Sequence, residues 1–357
     1  MNSKYRNTGS LILILVCCII FFTHAGCKNS KPEISEIRAV WIHPGLFNTN
    51  HDTALVQMSD LFESYKEAGV NNLFCYNTLR TQNGFKWDYL QALVDEGHKR
   101  GIKIHTIFYP GYDVRIEGEI EEHPEWLIKN IDSTVMPNLN LTLPAVWDYW
   151  LRKISETLKY DIDGIHLDYT RFPIDQKYSY DSVTIAAFIN VYGVSPLEIS
   201  PDCGNLFWCE WIQWNADQIT LLVKSIRELL DNSGKKLLLG ADAFPDAETA
   251  RILIGQDWTR WVHEGLIDIL CPMLYTNDTA LFKKYLDATI NAVGSDCIVC
   301  PGIGIVTAEN TITKELLSKE VDIARKAGAG GFAFFSGYAF DEGFKVTLKE
   351  SVTPRPR

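Results

Sequence analysis

The sequence predicts an α/β fold, a single (β/α)8 barrel, on three observations. Strand-like and helix-like segments alternate eight times between residues 36 and 349, the pattern of a parallel sheet covered by helices. No low-complexity tract or compositional break separates a second domain from this region. The first strand is followed by residues 43–45, His-Pro-Gly, which have neither the glycine fingerprint of a dinucleotide fold nor the lysine of a phosphate loop. A doubly wound open sheet is the alternative, and eight regular repeats favour the barrel.

Each predicted strand is a short run of β-branched, aliphatic and aromatic residues, and each predicted helix repeats apolar residues three and four apart. The strands occupy residues 36–42, 72–76, 103–109, 162–169, 236–243, 267–275, 297–305 and 331–335. The helices occupy residues 53–68, 87–100, 146–160, 210–230, 247–264, 280–293, 314–327 and 342–349. Long segments follow the third and fourth strands, and the second of them, residues 175–207, is predicted as a turn-rich loop. In a barrel both segments would form walls of a cleft at the carboxyl ends of the strands.

The first 27 residues are predicted to be a lipoprotein signal peptide. Lys4 and Arg6 precede an apolar run over residues 11–22, which is short for a membrane span and suits a signal peptide. Residues 23–27, Thr-His-Ala-Gly-Cys, resemble a bacterial lipobox, although His stands where an aliphatic residue is usual. Cys27 is therefore the predicted lipidation site, and plain secretion or an uncleaved anchor are the alternatives.

This interpretation divides the chain into three parts. Residues 1–27 are the signal peptide, residues 28–34 a tether, and residues 35–350 the barrel domain. The protein is then expected in the bacterial cell envelope, lipid-anchored at the outer membrane or the cell surface. An exported compartment would also permit a disulfide between Cys203 and Cys209, with the reduced pair as the equal alternative.

Composition and charge exclude some functions. The formal net charge is −11 and the isoelectric point about 5.3, so the electrostatic footprint of a nucleic-acid-binding protein is absent. Clusters of Cys and His with zinc spacing are missing, and we predict no metal and no cofactor. The chain is expected to be a monomer.

The strongest functional signal lies in residues 161–173, which read as a buried strand ending in a carboxylate, an aromatic ring and a guanidinium. Side chains alternate along a strand. The face predicted toward the lumen holds Gly164, His166 and Asp168, and the face predicted toward the helices holds Ile165, Leu167 and Tyr169. Asp168 then lies at the carboxyl end of its strand, where barrel enzymes hold their chemistry. A structural Asp that caps a turn or pairs with Arg171 is the alternative.

The other predicted strand ends carry aromatic, amide, His and Asp groups without a cluster of Lys or Arg. This set suits a neutral polyhydroxylated ligand better than a phosphate. The residues predicted to bind such a substrate are Trp41, His43, Asn77, Tyr109, His166, Tyr169, Arg171, Trp211 and Tyr275. His166 could also hydrogen-bond Asp168 and tune its pKa, and a simple lumen histidine is the alternative.

Hydrolysis of a glycoside needs two carboxyl groups, and Asp168 and Asp242 are the best pair by position. Neighbouring strands lie about 4.8 Å apart, so carboxyls at adjacent strand ends could reach the separation of about 5–5.5 Å found in retaining enzymes. A solvated strand-end residue is the equal alternative for Asp242. Asp278 and Glu210 are weaker candidates for the second carboxyl.

Several segments resemble the bacterial glycosyl-hydrolase-like family ten, which occurs in lipoproteins and cell-surface proteins. They are Arg-Ala-Val-Trp-Ile at residues 38–42, the segment 160–173, Phe-Pro-Asp at 244–246, Gln-Asp-Trp at 256–258 with Trp261, and the segments 265–268 and 272–276. The resemblance spans residues 36 to about 340 and implies a TIM barrel and a glycoside hydrolase. A related domain that cuts poly-glucosamine carries a catalytic Asp on its fourth strand, which matches Asp168.

Two departures from the family pattern concern the site. The family often has Trp-Arg in the helix after the fourth strand, where this chain has Trp214-Asn215. The fifth strand of similar proteins often lacks an Asp, so Asp242 gains no support from the resemblance. The sequence therefore predicts a glycoside hydrolase with Asp168 as a principal catalytic carboxylate. A glycan-binding lipoprotein without catalysis and a metal-dependent hydrolase of another class are the rival hypotheses.

Overall fold

The barrel has eight parallel strands, and the seventh is split in two. This computed structural model describes residues 36–76, 85–112, 118–202 and 204–352. The strands are β1 Ile37–Ile42, β2 Asn72–Tyr76, β3 Lys103–Phe108, β4 Gly164–Leu167, β5 Leu238–Ala243, β6 Ile269–Pro272, β7 Ile298–Val299 with Gly302–Gly304, and β8 Gly331–Phe335. Pro301 lies between the two pieces of β7, and proline has no N–H to donate to a ladder.

The ladder closes around the barrel, as the sequence predicts. The first piece of β7 pairs with β6, and the second piece pairs with β8 through Gly302 and Ala333. β8 in turn pairs with β1 through Gly331 and Ile37. A bridge between Met273 and Gly302 connects the end of β6 to the second piece of β7. The prediction of a (β/α)8 barrel with long segments after β3 and β4 is therefore confirmed.

The helices of the described residues lie outside this barrel or in its long loops. They are α1 His51–Glu67, α2 Tyr89–His98, α3 Glu119–Glu122, α4 Pro144–Ser155, α5 Ser182–Tyr192, α6 Leu206–Asp231, α7 Ala247–Ile254, α8 Trp258–His263, α9 Thr279–Val293, α10 Lys314–Ala327 and α11 Glu342–Val352. A two-stranded antiparallel hairpin, Leu127–Lys129 and Val135–Leu139, lies in the segment after β3.

The helix predicted over residues 247–264 is wrong as a single element, because α7 and α8 are separate. Gly255 ends α7 with a left-handed φ of +66°, and the Asp257 carboxylate caps α8 by accepting a hydrogen bond from the N–H of Arg260. Between them, the buried Gln256 accepts from the N–H of Phe244 and donates to the carbonyl of Asp242. The break between α7 and α8 thus places the side-chain amide of Gln256 where it hydrogen-bonds the backbone at the end of β5.

The loop predicted over residues 175–207 is also partly wrong, because it contains α5. Asp181 caps this helix through the N–H groups of Val183 and Thr184, and Gly193 ends it with a φ of +71°. Helix α6 begins at Leu206, earlier than predicted, with Asn205 as its cap. Both helices follow short polar caps that can be read from the sequence.

Apolar residues form two cores. A large cluster packs the outer face of the strands against the helices and includes Ile165 and Leu167 of β4, as the alternation predicts. A smaller cluster fills the lumen and includes Trp41, Phe74 and Ile107. Polar side chains can therefore occupy the lumen only at positions that this apolar cluster does not fill.

The described residues between 36 and 352 belong to one compact unit. The predicted signal peptide, Cys27 and the tether lie outside the described residues. Among the helices that the structure describes, none combines the length and the apolar character needed to cross a bilayer.

Glu320 on α10 is fully buried, and neither of its carboxylate oxygens has a hydrogen-bond partner. Burial raises its pKa from 4.5 to about 8, so the folded state loses stability as the pH rises from 4.5 to about 8. We expect Glu320→Gln, which does not titrate, to gain stability over the parent by about 1–3 kcal/mol between pH 5 and pH 9. Urea unfolding at both pH values measures this gain. The exposed Glu315→Gln on the same helix is the control, and an equal difference at both pH values would contradict the prediction.

Candidate active site

A cleft of about 560 Å³ opens at the carboxyl ends of the strands. Its described lining is mainly aromatic and apolar, with two Asp residues at its base, and comprises Trp41, Tyr76, Asp168, Tyr169, Arg171, Ile174, Asp242, Phe244, Pro245, Met273, Tyr275, Thr307, Ala308, Glu309 and Phe335. This volume lies within the usual range for sites that take small molecules or sugar units. The barrel thus places a concave, aromatic site where barrel enzymes hold theirs.

Asp168 and Asp242 occupy matching positions on neighbouring strands. The register of β4 and β5 pairs Leu167 with Ala241, and each Asp is the next residue along its chain. Adjacent strands lie about 4.8 Å apart, so the two carboxyl groups lie side by side at the base of the cleft. Only 6% of Asp168 and 3% of Asp242 are exposed.

Asp168 is held by two donors. Its Oδ2 accepts a hydrogen bond from the Tyr76 hydroxyl at 3.0 Å, and its Oδ1 accepts one from the N–H of Tyr169 at 2.7 Å. Burial and, second, the charge of Asp242 raise the pKa of Asp168 from 3.8 to about 7, although the two donors and Arg171 act in the opposite direction. Asp168 therefore changes its charge near neutral pH.

Asp242 is held from below by His166. The imidazole Nε2 lies 2.7 Å from Asp242 Oδ1, and the Trp41 side chain also hydrogen-bonds this carboxyl. Burial lowers the pKa of His166 to about 3, so its ring is neutral, and burial raises the pKa of Asp242 well above its usual value. Because the buried Nδ1 of His166 has no partner, the hydrogen-bond pattern assigns its proton to Nε2. His166 thus donates to Asp242 and fixes its orientation.

Glycine at position 240 makes room for this ring. A Cβ atom there would lie 2.4 Å from His166 Nδ1, so a larger residue would displace the imidazole. On the other side, Phe74 stacks on His166 with ring centroids 4.1 Å apart. The position of Asp242 therefore depends on Gly240 and on the Phe74 ring, which act on it through His166.

Tyr169 leaves the face that alternation predicts. Its backbone has a left-handed φ of +49°, so the strand ends and the side chain packs with the lumen cluster rather than the helices. The carbonyl of Tyr169 accepts from the N–H of Gly111 at 2.8 Å. A Cβ at position 111 would lie 2.0 Å from the Arg171 carbonyl, so this close approach requires glycine. The turn brings Tyr169 into the cleft.

Six of the predicted site residues line the cleft. They are Trp41, Asp168, Tyr169, Arg171, Asp242 and Tyr275. Asn77 lies outside the described residues, as does Cys203 of the disulfide that the sequence left open.

Four predicted site residues lie elsewhere. His166 is fully buried and hydrogen-bonds Asp242 rather than Asp168, which agrees with the alternative of a lumen histidine, and it does not line the cleft. Trp211 is fully buried on α6, stacks on Trp214 with ring centroids 5.4 Å apart, and does not line the cleft either. Tyr109 is buried in the lumen cluster, and His43 lies beside the Tyr338 hydroxyl at 3.1 Å, outside the cleft lining. Several of the aromatic residues predicted to bind substrate thus pack inside the fold and do not line the cleft.

The weaker carboxyl candidates are not in the cleft either. Asp278 caps α9 by accepting from the N–H groups of Ala280 and Leu281. Glu210 on α6 hydrogen-bonds Tyr192. Asn215, which departs from the family pattern, is fully buried and donates to the carbonyl of Trp211.

Sequence reasoning missed Tyr76, Phe244, Phe335 and Glu309 as site residues. Tyr76 could have been found, because alternation along β2 places it on the lumen face with Phe74. Glu309 had no signal, because it lies in a loop after β7 whose conformation depends on Asn310 bonding the Gly304 carbonyl and Thr307.

One trio of described residues is compact enough to hold a metal ion. Single ligand atoms of His166, Asp242 and Cys271 lie within 4.8 Å of one another, and all three residues are buried. A bound cation would have to replace the proton shared by His166 and Asp242 and ionise a thiol whose pKa burial raises well above its usual value. That no metal binds stays a prediction.

Comparisons with known proteins agree with this fold. The sequence profile of the family described as glycosyl hydrolase-like 10 matches residues 75–311. The glycosyl hydrolase YngK of Bacillus subtilis is 22% identical over 53% of this chain and 39% of its own length. The glycosyl hydrolase DigH of Escherichia coli K12 is 25% identical over 53% of this chain and 46% of its own length. The match thus spans less than half of either curated relative.

Two solved structures are similar in fold. The PgaB glycoside hydrolase domain of Bordetella bronchiseptica has a TM-score of 0.72 at 10% identity and covers 90% of this chain and 100% of that domain. A β-galactosidase of the psychrophilic Marinomonas ef1 has a TM-score of 0.65 at 12% identity and covers 88% of this chain and 59% of that chain. At these identities the similarity shows the fold.

The raised pKa of Asp168 makes a prediction about stability. The unfolded carboxyl titrates near pH 3.9, so the parent loses stability as the pH rises from about 4 to about 7, where the folded Asp168 ionises. Asp168→Asn does not titrate. We expect the free energy of unfolding of Asp168→Asn, relative to that of the parent, to rise by about 2–4 kcal/mol between pH 4 and pH 7. Above pH 7 this difference should stay nearly constant. A difference that is constant from pH 4 to pH 8, in urea unfolding, would contradict this.

Proposed function

This chain belongs to the glycosyl hydrolase-like 10 family, and we propose that it is a glycoside hydrolase that cleaves a polysaccharide or oligosaccharide. The observation that carries the proposal is the pair of buried carboxyls, Asp168 and Asp242, at matching strand positions in an aromatic cleft. Two carboxyl groups on either side of a scissile bond are what this reaction requires. The glycosidase fold of the structural neighbours supports the same reaction.

The surroundings of the two carboxyls assign different roles to them. Burial raises the pKa of Asp242 well above its usual value, so it is the general acid that protonates the departing glycosidic oxygen. Asp168 accepts two hydrogen bonds that stabilise its charged form, so it is the nucleophile or the base that activates water. Near neutral pH the pair would carry the single proton that this division requires.

Aromatic rings supply the sugar subsite. Tyr169, Tyr275 and Phe335 are partly exposed and line the cleft, and Tyr275 stacks on Phe335 with ring centroids 5.5 Å apart. Such faces pack against the C–H groups of a pyranose ring while hydroxyl groups of the sugar reach the carboxyls and Tyr76.

We expect Asp168→Asn and Asp242→Asn each to lower reducing-end release from a polysaccharide panel by about 10³-fold or more, because each removes a group that reacts with the substrate. Asp278→Asn, an exposed helix cap outside the cleft, is the matched control and should retain the parent activity.

The rival hypotheses give different results in the same experiment. Equal release by the parent and Asp168→Asn would remove Asp168 from the mechanism. Glycan binding without release by any form would favour a glycan-binding protein. Activity that a chelator abolishes and zinc restores would favour a metal-dependent hydrolase, with His166, Asp242 and Cys271 as the first ligands to test.

We also propose that Cys27 anchors the protein by a lipid in the bacterial cell envelope. The lipobox-like residues 23–27 after a short apolar run support this. Cells grown with labelled palmitate should label the parent and the Cys18→Ser control but not Cys27→Ser, and the parent should fractionate with membranes. Equal labelling of Cys27→Ser and the parent would overturn the anchor and leave the hydrolase proposal standing.

A further inference from the structure

The guanidinium of Arg171 lies close to two aromatic rings at the wall of the cleft. Its Cζ lies 4.5 Å from the ring centroid of Tyr169 and 5.0 Å from that of Phe244. Two rings within cation–π distance restrict the positions that the guanidinium can occupy, while its planar N–H groups stay available to an acceptor. The turn at Tyr169 described above therefore orients the donors of Arg171 as well as forming the wall.

Most of those donors have no partner among the residues that the structure describes. The guanidinium makes one long hydrogen bond, from Nη1 to the carbonyl of Phe172 at 3.4 Å. It forms no ion pair with a carboxylate of the described residues, although burial lowers its pKa and so disfavours its charge. Half-buried arginines of this kind usually pair with a carboxylate or phosphate, and Arg171 lines the cleft without such a pair among the described residues.

Arg171 is the single cation among the described residues that line the cleft. The carboxylate whose charge acts on Arg171 is that of Asp168. Asp168 already accepts hydrogen bonds from Tyr76 and Tyr169, and its pKa is about 7. Glu309 also lines the cleft, but it lies exposed on its loop, where water screens its charge. The cleft thus holds one oriented positive group beside the proposed reacting carboxyls.

We propose that the cleft selects a carboxylated sugar and that Arg171 binds its carboxylate with two parallel hydrogen bonds. The planar fork of arginine matches a carboxylate in this way. The substrate class is then an acidic glycan with uronic acid or another carboxyl-bearing unit, rather than the neutral ligand that the sequence predicts from the lack of a Lys/Arg cluster. This inference rests on the proposed function only for the statement that the ligand is a glycan.

Binding of free sugars tests the inference without requiring turnover. Dissociation constants of the full-length protein would be measured by NMR titration for D-glucuronate against D-glucose and for D-galacturonate against D-galactose. We expect the parent to bind at least one uronate about tenfold or more tighter than its neutral partner, and Arg171→Gln to bind both members of that pair equally. Arg152→Gln removes the same charge from an exposed site and should keep the parent preference.

Four other binding results would contradict the inference or part of it. Equal binding of uronate and neutral sugar by the parent, no binding of either uronate, or a preference that persists in Arg171→Gln would overturn the inference. Glucose 6-sulfate that binds as tightly as glucuronate would overturn the assignment of a carboxylate.

Two further variants separate this inference from other effects. If Arg171→Gln binds neither sugar, Arg171→Lys decides, because it keeps the charge without the planar fork. A reduced uronate preference in Arg171→Lys supports the inference, and an unchanged preference overturns it. Asp168→Asn should keep the preference while losing turnover, so a failure of the hydrolase proposal and a failure of this inference give different results.

Discussion

The hydrogen bond from His166 Nε2 to Asp242 Oδ1 sets the chemistry of the cleft. It exists because the lumen of the barrel accommodates a neutral imidazole between Phe74 and the backbone of Gly240. Burial keeps that imidazole neutral, so it can orient the carboxyl but cannot stabilise its charge as a cation would. Asp242 is therefore positioned by a donor and is still inclined to keep its proton.

A second histidine, His105, is held in the same way in the layer of the lumen below. His105 lies 3.0 Å from Asn72 Oδ1, and a Cβ at position 164 would lie 2.4 Å from its Nδ1. The amide of Asn72 donates to Asn71, so its oxygen is available to accept from His105. Each lumen histidine is thus paired with a glycine on the next strand and a single acceptor, which lets polar groups fill a barrel interior without leaving strong donors unpaired.

The cleft wall depends on a second constraint, the left-handed turn at Tyr169. By ending the strand after Asp168, it gives that carboxylate a backbone donor and turns an aromatic ring toward the lumen. The same ring lies 4.5 Å from Cζ of Arg171, so one backbone conformation connects Asp168 with the only described cation of the cleft. Strained or unusual backbone is often found where a protein positions its functional groups.

The sequence by itself determined the eight repeats, the inward face of β4 and the positions of Asp168 and Asp242, because alternation and strand ends are local patterns that a parallel barrel converts directly into position. It could not determine that Tyr169 departs from its face, since the positive φ at this tyrosine goes with a close approach of Gly111 from the segment after β3. Nor could it place Trp211 or Glu309, or find the hydrogen-bond partner of His166, because these depend on neighbours distant in the chain. Tertiary packing alone decided which of the predicted polar and aromatic residues reach the cleft, because the lumen and the outer core compete for the same side chains.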